Sequence, residues 1–164
     1  MPSAAVQDTL ENDVKAAFLY SFTKFVEWPA TARASKEPFR LCLVADPTFV
    51  RAVDHIIQGE SVGGRALVRV EPQSVEEARS CDMLYVGNAE TARGSRLVTA
   101  VRQLPILTVG DSSLFVDQGG AIGFVTENNR VRFDVSQRAA ERSGLKVSSK
   151  LLRVARSVRK DPPQ

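Results

Sequence analysis

Cys42 and Cys81 are the only two thiols of this chain, and His55 is its only imidazole. Two cysteines beside a full core serve either as inert buried thiols or as one disulfide, and the sequence alone leaves both open. If bonded, they close a loop of about 40 residues, and chain entropy would then contribute about 4 kcal/mol of stability. His55 falls inside a segment that reads as helix, with no serine or cysteine at dyad spacing, so a surface or satisfied partly buried role is expected. Nothing marks a nucleophile elbow. The two cysteines and one histidine lack the paired spacing of a zinc site, so no metal is expected. Walker loops are absent, and the turn Asp46-Pro47-Thr48 carries no glycine fingerprint for a dinucleotide. No catalytic residue and no cofactor is assigned from these residues.

Two other groups of polar residues could bind. Asp46, Asn88, Asp111 and Ser112 follow apolar runs and would gather at the C-terminal rim of a parallel sheet, where ligands of such sheets sit. Their ordinary role is helix capping and turn formation, and Asp111 is kept as a ligand candidate. Two aspartates on one rim also suit a phosphoacceptor receiver domain, but the acidic cluster directly after the first strand is missing. The second group is a basic stripe, Lys150, Arg153, Arg156, Arg159 and Lys160, on the last expected helix. A solvated face is its default role, and contact with an acidic partner is the alternative. Arg130, Arg132 and Lys146 could extend the positive area. No aromatic residues interleave with these charges, so nucleic acid is not expected.

The elements that must position these groups follow from periodicity. Leu10, Val14, Ala17, Phe18, Ser21, Phe22 and Phe25 recur at helical steps, which predicts a helix over 8–27 with Pro29 as its stop. Trp28 at that helix end is either core or an exposed anchor for a partner. Strands are expected over 39–45, 66–70, 83–86 and 106–109. Helices alternate with them: one from Asp46-Pro47 to about Gln58, a short one behind the capping box Ser74-Val75-Glu76-Glu77, and one from Asn88 to about Gln103. This alternation implies an α/β fold, a mostly parallel sheet flanked by helices on both faces. A C-terminal β-hairpin, 121–126 and 130–134 about Asn128-Asn129, and two helices, 136–142 and 149–158, should close it. If the cysteines are bonded, the first and third strands are neighbours, which favours strand order 2-1-3-4.

At 164 residues the chain suits one domain, placed at 8–160 with short tails. Its formal charge of +3 allows an acidic partner or anionic lipid without demanding either. No apolar run approaches the roughly 20 residues of a membrane-spanning helix. Met1-Pro2-Ser3-Ala4-Ala5-Val6 has no basic segment followed by an apolar one, so no signal peptide is read there. Taken literally that start implies cytoplasm; it also reads as an initiator placed before a mature secreted chain.

Two stretches carry a family resemblance. One runs Gly119-Gly120-Ala121-Ile122-Gly123-Phe124 through Arg130-Val131-Arg132-Phe133 to Gly144-Leu145 and Ser148-Ser149-Lys150-Leu151-Leu152-Arg153-Val154-Ala155. The other is Lys15-Ala16-Ala17-Phe18-Leu19-Tyr20 through Phe25-Val26-Glu27-Trp28-Pro29. Together they resemble the YfiR family over about 14–158. The resemblance implies a periplasmic α/β binding protein that dimerises and represses a membrane-bound diguanylate cyclase by binding its periplasmic sensor domain, lowering cyclic-di-GMP and biofilm formation. It makes Cys42–Cys81 an expected disulfide. It also implies a small-molecule effector near Lys146 and Ser148, and it points to a binding protein, not an enzyme. A small-molecule-sensing domain is the alternative function, and an enzyme using the rim is the rival from another class. Some similar proteins carry a second cysteine pair near Val116 and Gly123, which this chain lacks. Within this reading the partner-binding candidates are Trp28, the Leu114-Phe115 turn, Arg153 and Arg156, and the ligand-binding candidates are Asp111, Arg132, Lys146 and Ser148.

Overall fold

The computed structural model describes residues 4–30, 37–87 and 91–160. In chain order these form α1 (Ala4–Phe25), β1 (Val26–Glu27), β2 (Phe39–Val44), α2 (Pro47–Ile57), β3 (Ser61–Val62), β4 (Arg65–Val70), α3 (Val75–Arg79), β5 (Met83–Val86), α4 (Thr91–Val101) and β6 (Leu107–Gly110). After a loop come β7 (Ile122–Glu127), β8 (Arg130–Ser136), α5 (Gln137–Arg142), β9 (Lys146–Val147), α6 (Ser149–Val154) and β10 (Ser157–Arg159).

Eight of the described strands share one sheet in the order β10-β8-β7-β6-β5-β2-β4-β3, while β1 and β9 form a separate antiparallel pair. The central run β7-β6-β5-β2-β4 is parallel throughout. The four sequence-predicted strands therefore stand in the order 2-1-3-4, the order that a Cys42–Cys81 bond favours. That bond is present, with the Cα atoms 6.0 Å apart.

The period of two along β2 and β5 divides the core between the faces. Leu41, Leu43, Met83 and Tyr85 pack with α1 and α2 on one side. Cys42, Val44, Leu84 and Val86 pack with Ala78 of α3 and Leu97, Val98 and Val101 of α4 on the other. Helices thus cover both faces. On the first face the rings of Phe18 and Phe22 meet Phe124 and Phe133 with centroids 5.2–6.1 Å apart.

Local signals placed several boundaries. Asp46 accepts from Phe49 N at 3.0 Å and Pro47 takes the first helical position of α2. Ser74 caps α3 through Glu77 N, although Glu77 reaches back to Gln73 N where a full capping box would use Ser74 N. Asn128 and Asn129 both take positive φ, 52° and 62°, turning β7 into β8 in matched register. Asn88, expected to cap α4, lies outside the described residues.

Three expectations need correction. First, α1 is rotated relative to its predicted apolar face: Lys15, Ala16, Leu19, Phe22 and Thr23 are buried, whereas Leu10 and Val14 are 59% and 43% exposed. Burying Lys15 is tolerable because its ammonium meets Asp111 Oδ2 at 2.9 Å and Glu11 Oε1 at 3.4 Å. Second, the last helix ends at Val154, not Val158. Ala155 turns extended at ψ 147°, and Ser157–Arg159 joins the sheet edge in parallel with β8. The anchor is Asp134, fully buried, which accepts two bonds from the Arg156 guanidinium at 2.9 and 2.7 Å and one from Ser157 at 2.8 Å. Third, the basic stripe is therefore no helical stripe, because Arg156 and Arg159 project from extended chain, and Arg159 pairs with Asp117.

The loop between β6 and β7 is closed by one ring. Phe115 lies against Gly110 and Gly120, where an added Cβ would stand 2.3 and 2.0 Å from its atoms. Val116 lies beside Gly123, with Cγ1 3.8 Å from the place of a Cβ there. Apolar packing thus holds this segment. Gly120→Ala is expected to push Phe115 out and lower stability by about 1–3 kcal/mol; unchanged urea unfolding would show that the ring is not held there.

Candidate functional site

The sequence candidates separate into two groups at opposite ends of the parallel strands. Asp111, Leu114 and Phe115 lie at the C-terminal rim, where they border one depression with Val86, Ser95 and Gln118. Trp28, Lys146 and Ser148 lie at the other end, because Phe39 and Arg65, which begin β2 and β4, line the same cavity. Arg132 stands on β8, and Arg153 is exposed on α6.

The described rim residues have partners within the protein. Asp46 is engaged by α2 and Ser112 accepts from Leu114 N. Asp111 pairs with Lys15, and Glu11 accepts from Thr126 at 2.6 Å. That hydrogen bond outweighs Glu11's partial burial and, together with Lys15, holds its carboxyl below the usual value. Tyr85 beneath the rim is pushed well above its usual pKa by burial first, then by the charges of Asp111 and Asp46, so it stays a neutral phenol. Of the loop residues, Leu114 is 56% exposed while Phe115 turns inward. Phe115 is therefore a loop anchor and not a contact side chain.

Trp28 needs the same correction. It is 6% exposed, its ring stands edge-on to Phe39 with centroids 5.2 Å apart, and Nε1 donates to Asp82 O at 3.1 Å. It forms the floor of a cavity and does not project as an anchor. Arg156 is likewise committed inward, to Asp134 and Glu127. Burial raises the Asp134 carboxyl, but the bonds from Arg156 and Ser157 and the Arg156 charge outweigh this and leave it below the usual 3.8. Of the two arginines expected to meet a partner, only Arg153 keeps that availability.

A cavity of about 640 Å³ lies between the end of α1, β1, the start of β2, the β3–β4 turn, β9 and the start of α6. Sequence reasoning found Trp28, Lys146, Ser148 and Lys150 as candidates but missed the rest, which two-residue strands help to bring together. Val26 pairs with Val147 and Glu27 with Lys146, and Ser148 N donates to Phe25 O at 2.8 Å. Arg65 makes the floor rigid: its guanidinium grips Asp82 at 2.9 and 3.3 Å, donates to the Glu37 and Pro38 carbonyls, and lies over the Phe39 ring. Asp82 also accepts from Arg40 N at 2.9 Å and follows Cys81 directly, so the disulfide, Arg65 and Trp28 form one connected support. Lys24, Lys146 and Lys150 stand exposed around the mouth.

No group of metal-ligating side chains occurs among the described residues. Nor is any described helix long and apolar enough to cross a membrane. A family model described as YfiR/HmsC-like matches residues 12–156. A search of curated proteins returns no match. Among solved structures, the chain is similar to a conserved domain protein from Vibrio cholerae O1 biovar El Tor, at TM-score 0.57 and 12% identity, covering 90% of this chain and 60% of that one. It is also similar to an ABC domain in complex with L-Trp from Streptococcus pneumoniae, at TM-score 0.51 and 12% identity, covering 75% of this chain and 56% of that one. The chain thus spans less than two thirds of either solved chain, and identities this low speak to the α/β fold alone.

Proposed function

Because this chain belongs to the YfiR/HmsC-like family, we propose that it is a periplasmic regulatory protein that represses a membrane-bound diguanylate cyclase. It binds the cyclase's periplasmic sensor domain, lowers cyclic-di-GMP and thereby restrains biofilm formation. The observation that carries this reading is the family match across most of the chain. The buried Cys42–Cys81 bond supports it, since such bonds persist in oxidising compartments. In this reading the protein acts by binding, as a homodimer, and performs no chemistry of its own.

Repression by binding requires differential affinity. The protein must prefer the inactive arrangement of the sensor domain, because equal affinity for both arrangements shifts nothing. Arg153 is the informative probe on the basic C-terminal segment, because reversing Arg156 would break an internal pair instead. Arg153→Glu is expected to reduce capture of the cyclase from native membranes severalfold without lowering the unfolding midpoint. Capture equal to that of the unaltered protein would remove Arg153 from the interface. Failure of the unaltered protein to capture any cyclase would remove the proposal itself.

A further inference from the structure

We propose that the cavity between α1, β9 and the start of β2 is a docking groove for an acidic segment of the sensor domain bearing an aromatic or aliphatic anchor. This rests on the repressor reading above and assigns its contact surface.

The floor of the groove is apolar and fixed. Trp28 and Phe39 are 6% and 2% exposed, and both are braced through Asp82 and Arg65 to the strand that carries the disulfide. A braced floor loses little freedom when an anchor side chain settles on it, and that favours tight docking. Phe25 is 38% exposed and lines the groove with Val62.

Charge selects the occupant. The Arg65 cation is balanced by Asp82 with 2.9 Å separating guanidinium nitrogen from carboxylate oxygen. The remaining charged side chains of the lining are three lysines, Lys24, Lys146 and Lys150, against one carboxylate, Glu27. The lysines come from three different elements, α1, β9 and the start of α6. Cations distributed in this way match several carboxylates spaced along a peptide, and the open apolar floor between them suits one large side chain. Complementarity of this kind sets register and speeds encounter, while the seated anchor supplies most of the binding energy.

The test uses the full chain and the recombinant sensor domain of a cyclase from the same organism, with affinity measured at low and high salt. Lys146→Glu/Lys150→Glu should weaken binding by about tenfold or more and flatten its salt dependence. Val62→Trp, which fills the groove without changing charge, should weaken binding while leaving salt dependence in place. Unfolding midpoints for both variants confirm that they fold, and Lys146→Gln/Lys150→Gln substitutes if the reversal does not. Unaltered affinity in all these variants, with the parent chain still binding, would overturn the groove and leave the repressor reading standing. No binding by the parent chain would overturn both. Retention of the parent chain on phosphatidylglycerol vesicles, lost in the lysine variants while sensor-domain binding persists, would assign the groove to lipid and overturn the proposal.

Discussion

Arg156→Met is expected to destabilise the protein by about 3–5 kcal/mol at neutral pH, the usual cost of removing one partner from a buried ion pair. The asymmetry of the pair sets the choice of variant. The Asp134 side chain is 1% exposed and the Arg156 side chain 32%, so an orphaned arginine could hydrate but an orphaned aspartate could not. After the substitution only Ser157 would remain, among the described residues, as a side-chain hydrogen-bond partner of Asp134. The pH dependence gives a second readout. In the parent protein Asp134 titrates below its unfolded value, so its contribution is present above about pH 4 and is lost as pH falls through the folded pKa. In the variant, burial acts without the arginine and raises the carboxyl, so protonation relieves the strain and the deficit narrows as the solution is acidified. Arg156→Met/Asp134→Asn should recover part of the loss. A deficit independent of pH, with no recovery in the double variant, would mean that β10 is not held by this pair.

The second large effect is predicted for Cys42→Ala/Cys81→Ala. The bond spans 39 residues of sequence, and its loss should lower stability by about 4 kcal/mol through chain entropy. That is a large share of the about 5–15 kcal/mol typical of a domain. Both cysteines are buried, at 0% and 5% exposure, so a reductant without denaturant should leave the bond intact. The loss should also be felt at the groove, because Asp82 next to Cys81 holds both Arg65 and Trp28 Nε1. Comparison of urea midpoints for the oxidised protein and the double variant measures the first effect. A change in Trp28 fluorescence under native conditions reports the second. Equal midpoints would show that the bond does not constrain the unfolded chain.

What could be read in the sequence follows from the range of the interactions. Asp46-Pro47, Ser74 and Asn128-Asn129 act within a few residues, so their caps and turn were legible directly. The strand order is legible as well if the cysteines are bonded, because a disulfide limits Cα separation. The rotation of α1 was not, since the sign that Lys15 is buried is Asp111, 96 residues away. For the same reason β10 was hidden: its three residues carry one apolar side chain, and its anchor is a buried aspartate of another strand. The groove lies between these cases. Trp28, Lys146, Ser148 and Lys150 are named from the sequence, but the short pairings β1–β9 and β3–β4, two residues long, which help to bring Lys24, Val62 and Arg65 to them, leave no periodic trace.

The most direct test of repression by binding is cyclic-di-GMP synthesis by membranes from the native organism, stripped of this protein and then supplied with it in oxidised form. The account predicts that synthesis falls as the protein is added and saturates when the sensor domains are filled. Synthesis that stays constant at every concentration would contradict it.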